Sequence, residues 1–295
     1  MNVLTIDLEE WFHLLEYSPL SDPQEWEHMD PKLEPMTEKV LDILAEAKVE
    51  ATFFILGWAA RRYPGIVRRI CDCGHDIGSH SDSHRLVSGM SRKEFREDLR
   101  RSIGSIEDTS GRKVLSYRAP GFSLTRESSW VFDELIDAGI ETDCSIFPIK
   151  RAHGGYPGFE SNVPSLVRTN EGSILELPVK PMRILGKEVV ITGGGYFRFF
   201  PYSMVRAFLS QSKYSMSYFH PRDFWPDQPV LKGLPISRRL KSYWDLRTAE
   251  GKFRKMLGEF EFISLRKATK EIKQGKLPVI RTGADERACK NLLRE

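Results

Sequence analysis

The sequence predicts one parallel α/β domain, in which about seven strand–helix units favour a barrel over an open sheet. Three observations point there. Apolar β-type runs alternate with stretches of helical periodicity along the chain. The strand-like runs are continuous, as in Ala51-Thr52-Phe53-Phe54-Ile55-Leu56, which is the pattern of a strand covered on both faces. No linker rich in Pro, Gly and Ser, and no internal repeat, divides the 295 residues.

The elements follow in order. Val3-Leu4-Thr5-Ile6-Asp7 reads as a first core strand starting almost at Met1, which leaves no room for a signal peptide. Met36, Val40, Leu44 and Ala47 mark one face of a helix that leads into the strand at Ala51. Pro64 suits the first turn of a helix carrying Ile66, Val67 and Ile70, and Gly74 suits its stop. Ser91-Arg92-Lys93-Glu94 is a capping box opening a helix with Phe95, Leu99, Ile103 and Ile106 on one face. Val114 to Arg118 is the next strand. Thr125 caps a further helix, with Val131, Leu135 and Ile136 inward and Gly139 at its end, and Ile140 to Asp143 is strand-like again. Later come Ile174 to Leu177, a helix over Pro201 to Gln211, the strand Tyr214 to Phe219, and Phe260 to Ser264 between two helices. The stretch from His153 to Gly195 is irregular. Its Gly193-Gly194-Gly195 lacks phosphate-loop spacing and reads as a loop excursion beside a site.

Composition narrows the class. Charged residues make up 29% and apolar ones 40%, ordinary values for a globular chain and too apolar for extended disorder. A formal charge of +3 does not call for a nucleic-acid partner, and no basic stripe with interleaved aromatics appears. The four cysteines, Cys71, Cys73, Cys144 and Cys289, show no zinc-knuckle or disulfide-framework spacing, which suits a reducing compartment. No apolar run approaches the ~18 residues of a membrane span. A cytoplasmic location is expected, extending to the inner face of the membrane.

The stretch that carries chemistry is Gly74-His75-Asp76-Ile77-Gly78-Ser79-His80-Ser81-Asp82-Ser83-His84. On a single helical turn His80 and His84 would lie over one another, close enough for both rings to reach one ion. A hydrolytic zinc site usually takes three protein ligands, so a third must come from elsewhere, and Thr5-Ile6-Asp7-Leu8-Glu9-Glu10-Trp11 is the best candidate. In a parallel barrel, polar residues at the C-terminal ends of strands point into the mouth where catalysis happens. Asp7 with Glu9, His80 with His84, Arg118, Asp143 and His220 occupy such ends, and ionisable groups placed there repeatedly are rarely only structural.

The segments Thr5 to Trp11, Ser79 to His84, Arg118-Ala119-Pro120-Gly121-Phe122 and Tyr218-Phe219-His220-Pro221 resemble, in that order, the motifs of the polysaccharide deacetylase family, carbohydrate esterase family 4. The resemblance covers roughly residues 1–265 and leaves 266–295 as a C-terminal helical extension. It is nearest to the branch associated with bacterial exopolysaccharide gene clusters, in which a D-x-E-[DE]-W-F-H opening, a D-[SC]-S-I-F-P segment (here Asp143 to Pro148) and an F-H-P-R-D-F segment recur. It implies a distorted parallel (β/α) barrel of about seven strands that removes N-acetyl groups from amino sugars in an oligosaccharide, polysaccharide or lipid-linked glycan precursor. It also implies a divalent metal, usually Zn2+, with Co2+, Ni2+ or Mn2+ as substitutes.

By that resemblance Asp7 is the general base, His80 and His84 are metal ligands, Arg118 pairs with the base carboxylate, and His220 protonates the departing amine. Gly121 offers a backbone N–H to the oxyanion. Common members carry two adjacent aspartates in the first motif, and this chain departs from that with Asp7-Leu8-Glu9-Glu10. Strand alternation puts Asp7 and Glu9 on one face and favours Glu9 as the carboxylate ligand, with Glu10 the alternative if the strand has already turned. Ser81 and Asp82 are expected to orient the loop, and Asp143 is a candidate partner of His220. Phe224 and Trp225 are candidates for stacking on a sugar. Arg238, Arg239, Lys241, Arg247, Lys252, Arg254 and Lys255 either attract a lipid pyrophosphate or an anionic membrane face, or form a solvated helix face. Two rivals remain: an amidohydrolase of the same fold acting on small cyclic amides such as allantoin, and a non-catalytic carbohydrate-binding relative.

Overall fold

The continuous apolar runs become the strands of a nine-stranded sheet in the computed structural model, which describes residues 1–282 apart from 16 and 21. The strands are β1 (Asn2–Leu8), β2 (Thr52–Ile55), β3 (Asp76–Ser79), β4 (Ser116–Tyr117), β5 (Thr142–Asp143), β6 (Ser165–Arg168), β7 (Ser173–Glu176), β8 (Met182–Ile184), β9 (Lys187–Val189), β10 (Ser215–Phe219) and β11 (Val279–Arg281). Their order is β10-β1-β2-β3-β4-β5-β7-β6-β11, with β8 and β9 forming a separate hairpin. All neighbours from β10 to β7 pair in parallel, whereas β6 runs antiparallel to β7. Residues 190–193 run beside the outer side of β10, where Tyr218 N–H donates to the Thr192 carbonyl at 3.1 Å. The architecture is a distorted, mostly parallel (β/α) barrel-like sheet whose end strands, β10 and β11, are not paired with each other among the described residues.

Among the described residues ten α-helices cover the sheet: α1 (Leu33–Ala47), α2 (Gly57–Arg62), α3 (Pro64–Asp72), α4 (Arg92–Ser110), α5 (Val131–Asp137), α6 (Gly194–Phe199), α7 (Tyr202–Gln211), α8 (Ile236–Tyr243), α9 (Leu246–Glu259) and α10 (Leu265–Ile272). The expected signals act where they are written. Ser91 and Glu94 form the capping box of α4, and Gly111 ends that helix at a φ of 67°. Pro64 opens α3. Leu4, Ile6 and Leu8 of β1, Phe53 and Ile55 of β2, and Val40 and Leu44 of α1 meet in one apolar cluster, fully removed from solvent. Among the described residues no helix is long and apolar enough to cross a membrane.

Some elements differ from expectation. The strand read over Val114 to Arg118 keeps only Ser116 and Tyr117, and the helix read from Thr125 starts at Val131 after a run of turns. The irregular stretch contains the β8–β9 hairpin and the start of α6, which Gly193-Gly194-Gly195 opens. After residue 265 the chain is helical through Ile272 and then returns to the sheet, where β11 pairs with β6. The remainder of the expected extension, and Cys289, lie outside the described residues.

Candidate active site

The C-terminal ends of β1, β3 and β10, with the residue after β4, bring the polar side chains together. Asp7 lies one residue before the end of β1, and Arg118 follows β4, anchored by its N–H to the Ser79 carbonyl at 2.9 Å. The Arg118 side chain is wholly buried. Its guanidinium donates to Asp7 Oδ1 at 2.7 Å, Thr5 Oγ1 at 2.8 Å and the Cys144 carbonyl at 3.3 Å, and it lies over the Phe54 ring at 4.3 Å. A buried charge needs this degree of satisfaction, and the result is a carboxylate held in a fixed position at the cleft floor.

Glu9 Oε1 lies 2.9 Å from His80 Nε2 and 2.9 Å from His84 Nε2. His80 Nδ1 is 2.8 Å from the Arg118 carbonyl, which can only accept, so Nδ1 carries the hydrogen and the Nε2 lone pair faces the carboxylate. A lone pair facing an anionic oxygen at that distance is repulsive unless a cation or proton sits between them. These three donor atoms, all buried, lie within 4.8 Å of one another and fit a divalent ion. Burial alone would push the Glu9 carboxyl up, but the charges of His84 and His220 and the bonds from His80 and His84 hold it well below its usual range.

The two histidines do not share a helical turn. β3 ends at Ser79, and the chain then turns through positive φ at Ser81 (72°) and His84 (57°). Their rings converge because the loop is pinned from outside. Asp98 on α4 accepts the Asp82 N–H at 2.8 Å and the Ser83 hydroxyl at 3.0 Å, and Asp82 pairs with Arg61 at 2.5 Å. Gly57 leaves room for Asp82, since a Cβ there would stand 2.2 Å from its Oδ1. Spacing alone finds the two histidines but not this clamp.

Glu9 and Glu10 point to opposite sides. Glu10 accepts the N–H groups of Lys32 and Leu33 at 3.1 and 3.0 Å and the Tyr63 hydroxyl at 2.8 Å, so it caps α1, whose own N-cap residue Lys32 makes no side-chain cap. His220 follows β10, partly exposed, with Nε2 3.9 Å from both Asp7 Oδ2 and Glu9 Oε1. Burial pulls its imidazole below the ordinary value, against the charges of Glu9 and Asp7.

Three further expectations are corrected. The partner of His220 Nδ1 is Asp223 at 3.1 Å, not Asp143, and Arg198 pairs with Asp223 in turn. Asp143 lies deeper, accepting the Ser145 hydroxyl at 2.6 Å and sharing a hydrogen bond with Glu176, whose carboxyl burial and Asp143 push well up. Phe224 is a core residue, stacked on Phe253 at 4.5 Å, and Trp225 packs with the Trp11, Phe12 and Trp26 cluster, so neither lines the cleft. Asp223 was nonetheless written in the F-H-P-R-D-F segment, three residues after His220.

The cleft has a cavity volume of about 140 Å³, opens to solvent, and is lined by Asp7, Glu9, His84, Gly121, Tyr218 and His220 among others. Gly121 sits at a φ of 61°, where a Cβ would stand 2.5 Å from Leu15 Cδ1. The basic stretch divides. Arg238 and Lys241 reach the cleft, whereas Lys252 donates to the carbonyls of Phe197, Arg198 and Phe200, each at 3.0 Å, and Arg254 pairs with Glu250 and Glu46.

Parts of the chain match known proteins. The polysaccharide deacetylase family matches residues 27–137, and a domain of unknown function, DUF3473, matches residues 144–270. Over residues 27–137, less than half of its length, the chain is similar to the polysaccharide deacetylase family. A peptidoglycan-N-acetylglucosamine deacetylase of Bacillus cereus is 30% identical over 132 residues, which is 45% of this chain and 60% of that protein. A chitooligosaccharide deacetylase of Sinorhizobium fredii is 40% identical over 63 residues, 21% of this chain and 29% of that protein. The chain thus spans less than two thirds of the length of each of these curated relatives. Among solved structures, a candidate polysaccharide deacetylase of Mycobacterium smegmatis superposes with a TM-score of 0.63 at 18% identity, covering 95% of this chain and 92% of that one. The allantoinase Puue superposes with a TM-score of 0.55 at 15% identity, covering 89% and 85%. Both structural likenesses are of fold.

Proposed function

We propose that this chain is a polysaccharide deacetylase family member, a metal-dependent hydrolase that removes the N-acetyl group from an amino sugar in a glycan. One observation carries the reading: a carboxylate held by a buried guanidinium, a three-donor metal set and a histidine backed by an aspartate open onto one cleft. Relatives named as deacetylases of peptidoglycan N-acetylglucosamine and of chitooligosaccharides support the same substrate class. The cyclic-amide and binding-only readings are not favoured. Loss of Asp7 or His220 would mark a binding relative, and both face the cleft.

Glu9, His80 and His84 would hold the ion. Two imidazole nitrogens and one carboxylate oxygen suit zinc, with a position left over. A divalent ion held there supplies Lewis-acid polarisation of the acetyl carbonyl and of the attacking water. Asp7 takes the proton of that water at Oδ2, since Oδ1 is bound to Arg118. The Gly121 N–H stabilises the carbonyl oxygen as its charge grows. His220, oriented through Nδ1 by Asp223, delivers a proton from Nε2 to the departing amine.

A lipid-linked intermediate of exopolysaccharide assembly is the finer form of this reading. Ile236 (80% exposed), Leu240 (54%) and Trp244 (49%) form an apolar edge on and after α8, whose Lys241 reaches the cleft, and Arg239 is exposed among them. Such an edge suits peripheral contact with an anionic membrane. The test is acetate release by the metal-loaded protein from defined N-acetylated oligosaccharides and lipid-linked sugars. Acetate appearing with an equal amount of free amine supports the reading, and no release from any of them overturns it.

A further inference from the structure

Several cations line the cleft without serving the chemistry above. Of its acidic residues, Asp7 is taken by Arg118, Asp223 by Arg198 and His220, and Glu9 by the two histidines. Arg151, Arg222 and Lys241 face the same cleft, and none of the three has an ion pair among the described residues. Each is held over an aromatic face instead. Arg151 lies 4.3 Å over Phe147, Arg222 5.5 Å over Tyr243, and Lys241 4.7 Å over Tyr196. An aromatic face fixes a cation in place without neutralising it.

Two of these side chains also carry buried donors with nothing to donate to. Arg222 is 6% exposed, and its Nη2 has no hydrogen-bond partner; neither has Nη1 of Arg151. Leaving such a donor unmet costs about 1–3 kcal/mol, more for a charged group, so a fold that keeps two of them beside one cleft is prepared for a ligand that accepts. The ligand must also be anionic, because the three cations are close enough to a common cavity to attract one charge and have no carboxylate of their own. Burial, together with the Arg151 and Arg238 charges, pulls the Lys241 ammonium below its ordinary range, and an arriving anion relieves that crowding.

We propose that Arg151, Arg222 and Lys241 form a subsite for an anionic group, a phosphate or a carboxylate, carried by the N-acetylated sugar that the reaction centre takes. The inference rests on the N-deacetylase reading and narrows its substrate class: the acetamide lies at Asp7 and His220, and the charged substituent lies against the cationic lining. Guanidinium groups suit both oxyanions, which they bind through paired N–H donors.

The test is calorimetric binding to the metal-loaded protein of three sugars: N-acetylglucosamine, its 1-phosphate, and N-acetylmuramic acid, which bears a carboxylate. At least one anionic sugar should bind about 10- to 100-fold more tightly than the neutral one, the value of one or two charge-assisted hydrogen bonds. The preference should shrink at high salt and in Lys241→Met, a change at an exposed rim position, and in Arg151→Gln. Preference for the phosphate assigns the substrate to phosphosugars, and preference for the carboxylate assigns it to acidic sugars. Equal binding of all three sugars overturns the proposal, as does a preference that survives intact in both variants. Because binding is read without turnover, failure to release acetate would count against the N-deacetylase reading and leave this result separately readable.

Discussion

The guanidinium of Arg118 lies 2.7 Å from Asp7 Oδ1, both side chains being nearly or wholly removed from solvent. Removing one partner of a buried pair strands the other charge and costs about 3–5 kcal/mol, whereas an exposed pair such as Arg206–Glu259 contributes about 1 kcal/mol or less. Arg118→Met should therefore lower the unfolding free energy several times more than Arg206→Met does, as read from urea denaturation. Equal small losses would show that the pair does not hold the cleft floor.

Glu9 and Glu10 are adjacent in sequence and opposite in use. Glu9→Gln should reduce bound metal, as should His80→Ala and His84→Ala, because each removes one of three donors. Glu10→Gln should leave metal content intact and cost about 1–2 kcal/mol of stability, since it weakens the side-chain cap at the start of α1. Elemental analysis and thermal unfolding of the four variants decide between them. Metal lost from Glu10→Gln and kept by Glu9→Gln would reverse the assignment.

Much of this arrangement could be read from residue order. Parallel strands need continuous apolar runs, and these are visible in Val3 to Ile6 and Ala51 to Leu56, so the strand ends that carry Asp7, His80 and His220 could be placed. Strand alternation carried past Leu8, where β1 ends, likewise separates Glu9 from Glu10. What could not be read was set by contacts between distant segments. The His80–His84 loop is shaped by Asp98 from α4, and the capping role of Glu10 depends on where α1 begins, 23 residues later. Phe224 and Trp225 flank a catalytic motif, yet only the packing of α9 and of the Trp26 segment shows that they are core. The short antiparallel β6 and the β8–β9 hairpin were hidden because Gly and Pro break the period on which pattern reading depends.

His75 gives the fold a pH dependence away from the cleft. Burial lowers its imidazole to about 4, and its Nδ1 accepts the Ala51 N–H at 3.3 Å, which a protonated ring cannot do. The folded protein thus binds this proton less readily than the unfolded chain, whose histidines titrate at ~6.5. The contribution is complete above about pH 6.5 and is lost as the pH falls toward 4, with a limit on the order of 3 kcal/mol. Denaturation midpoints of the parent should fall over that window more steeply than those of His75→Gln. Parallel curves would remove His75 from the account.

In the proposed reaction His220 acts on the leaving group, so its loss should depend on what leaves. His220→Ala should keep its metal and lose roughly 10²- to 10⁴-fold in rate on an N-acetyl sugar. The loss should be smaller on an activated acetyl ester, whose leaving group needs no proton. Equal losses on both substrates would point to disturbed packing rather than proton delivery.

The central claim is that Asp7 supplies basicity while Glu9, His80 and His84 supply metal binding. Asp7→Asn keeps the size of the side chain and removes its ability to take a proton, so acetate release per bound metal in this variant tests the claim most directly. The account predicts a full complement of metal and acetate release reduced by at least about 10²-fold. A variant that loses its metal as His80→Ala does, or that releases acetate at the parent rate, would contradict it.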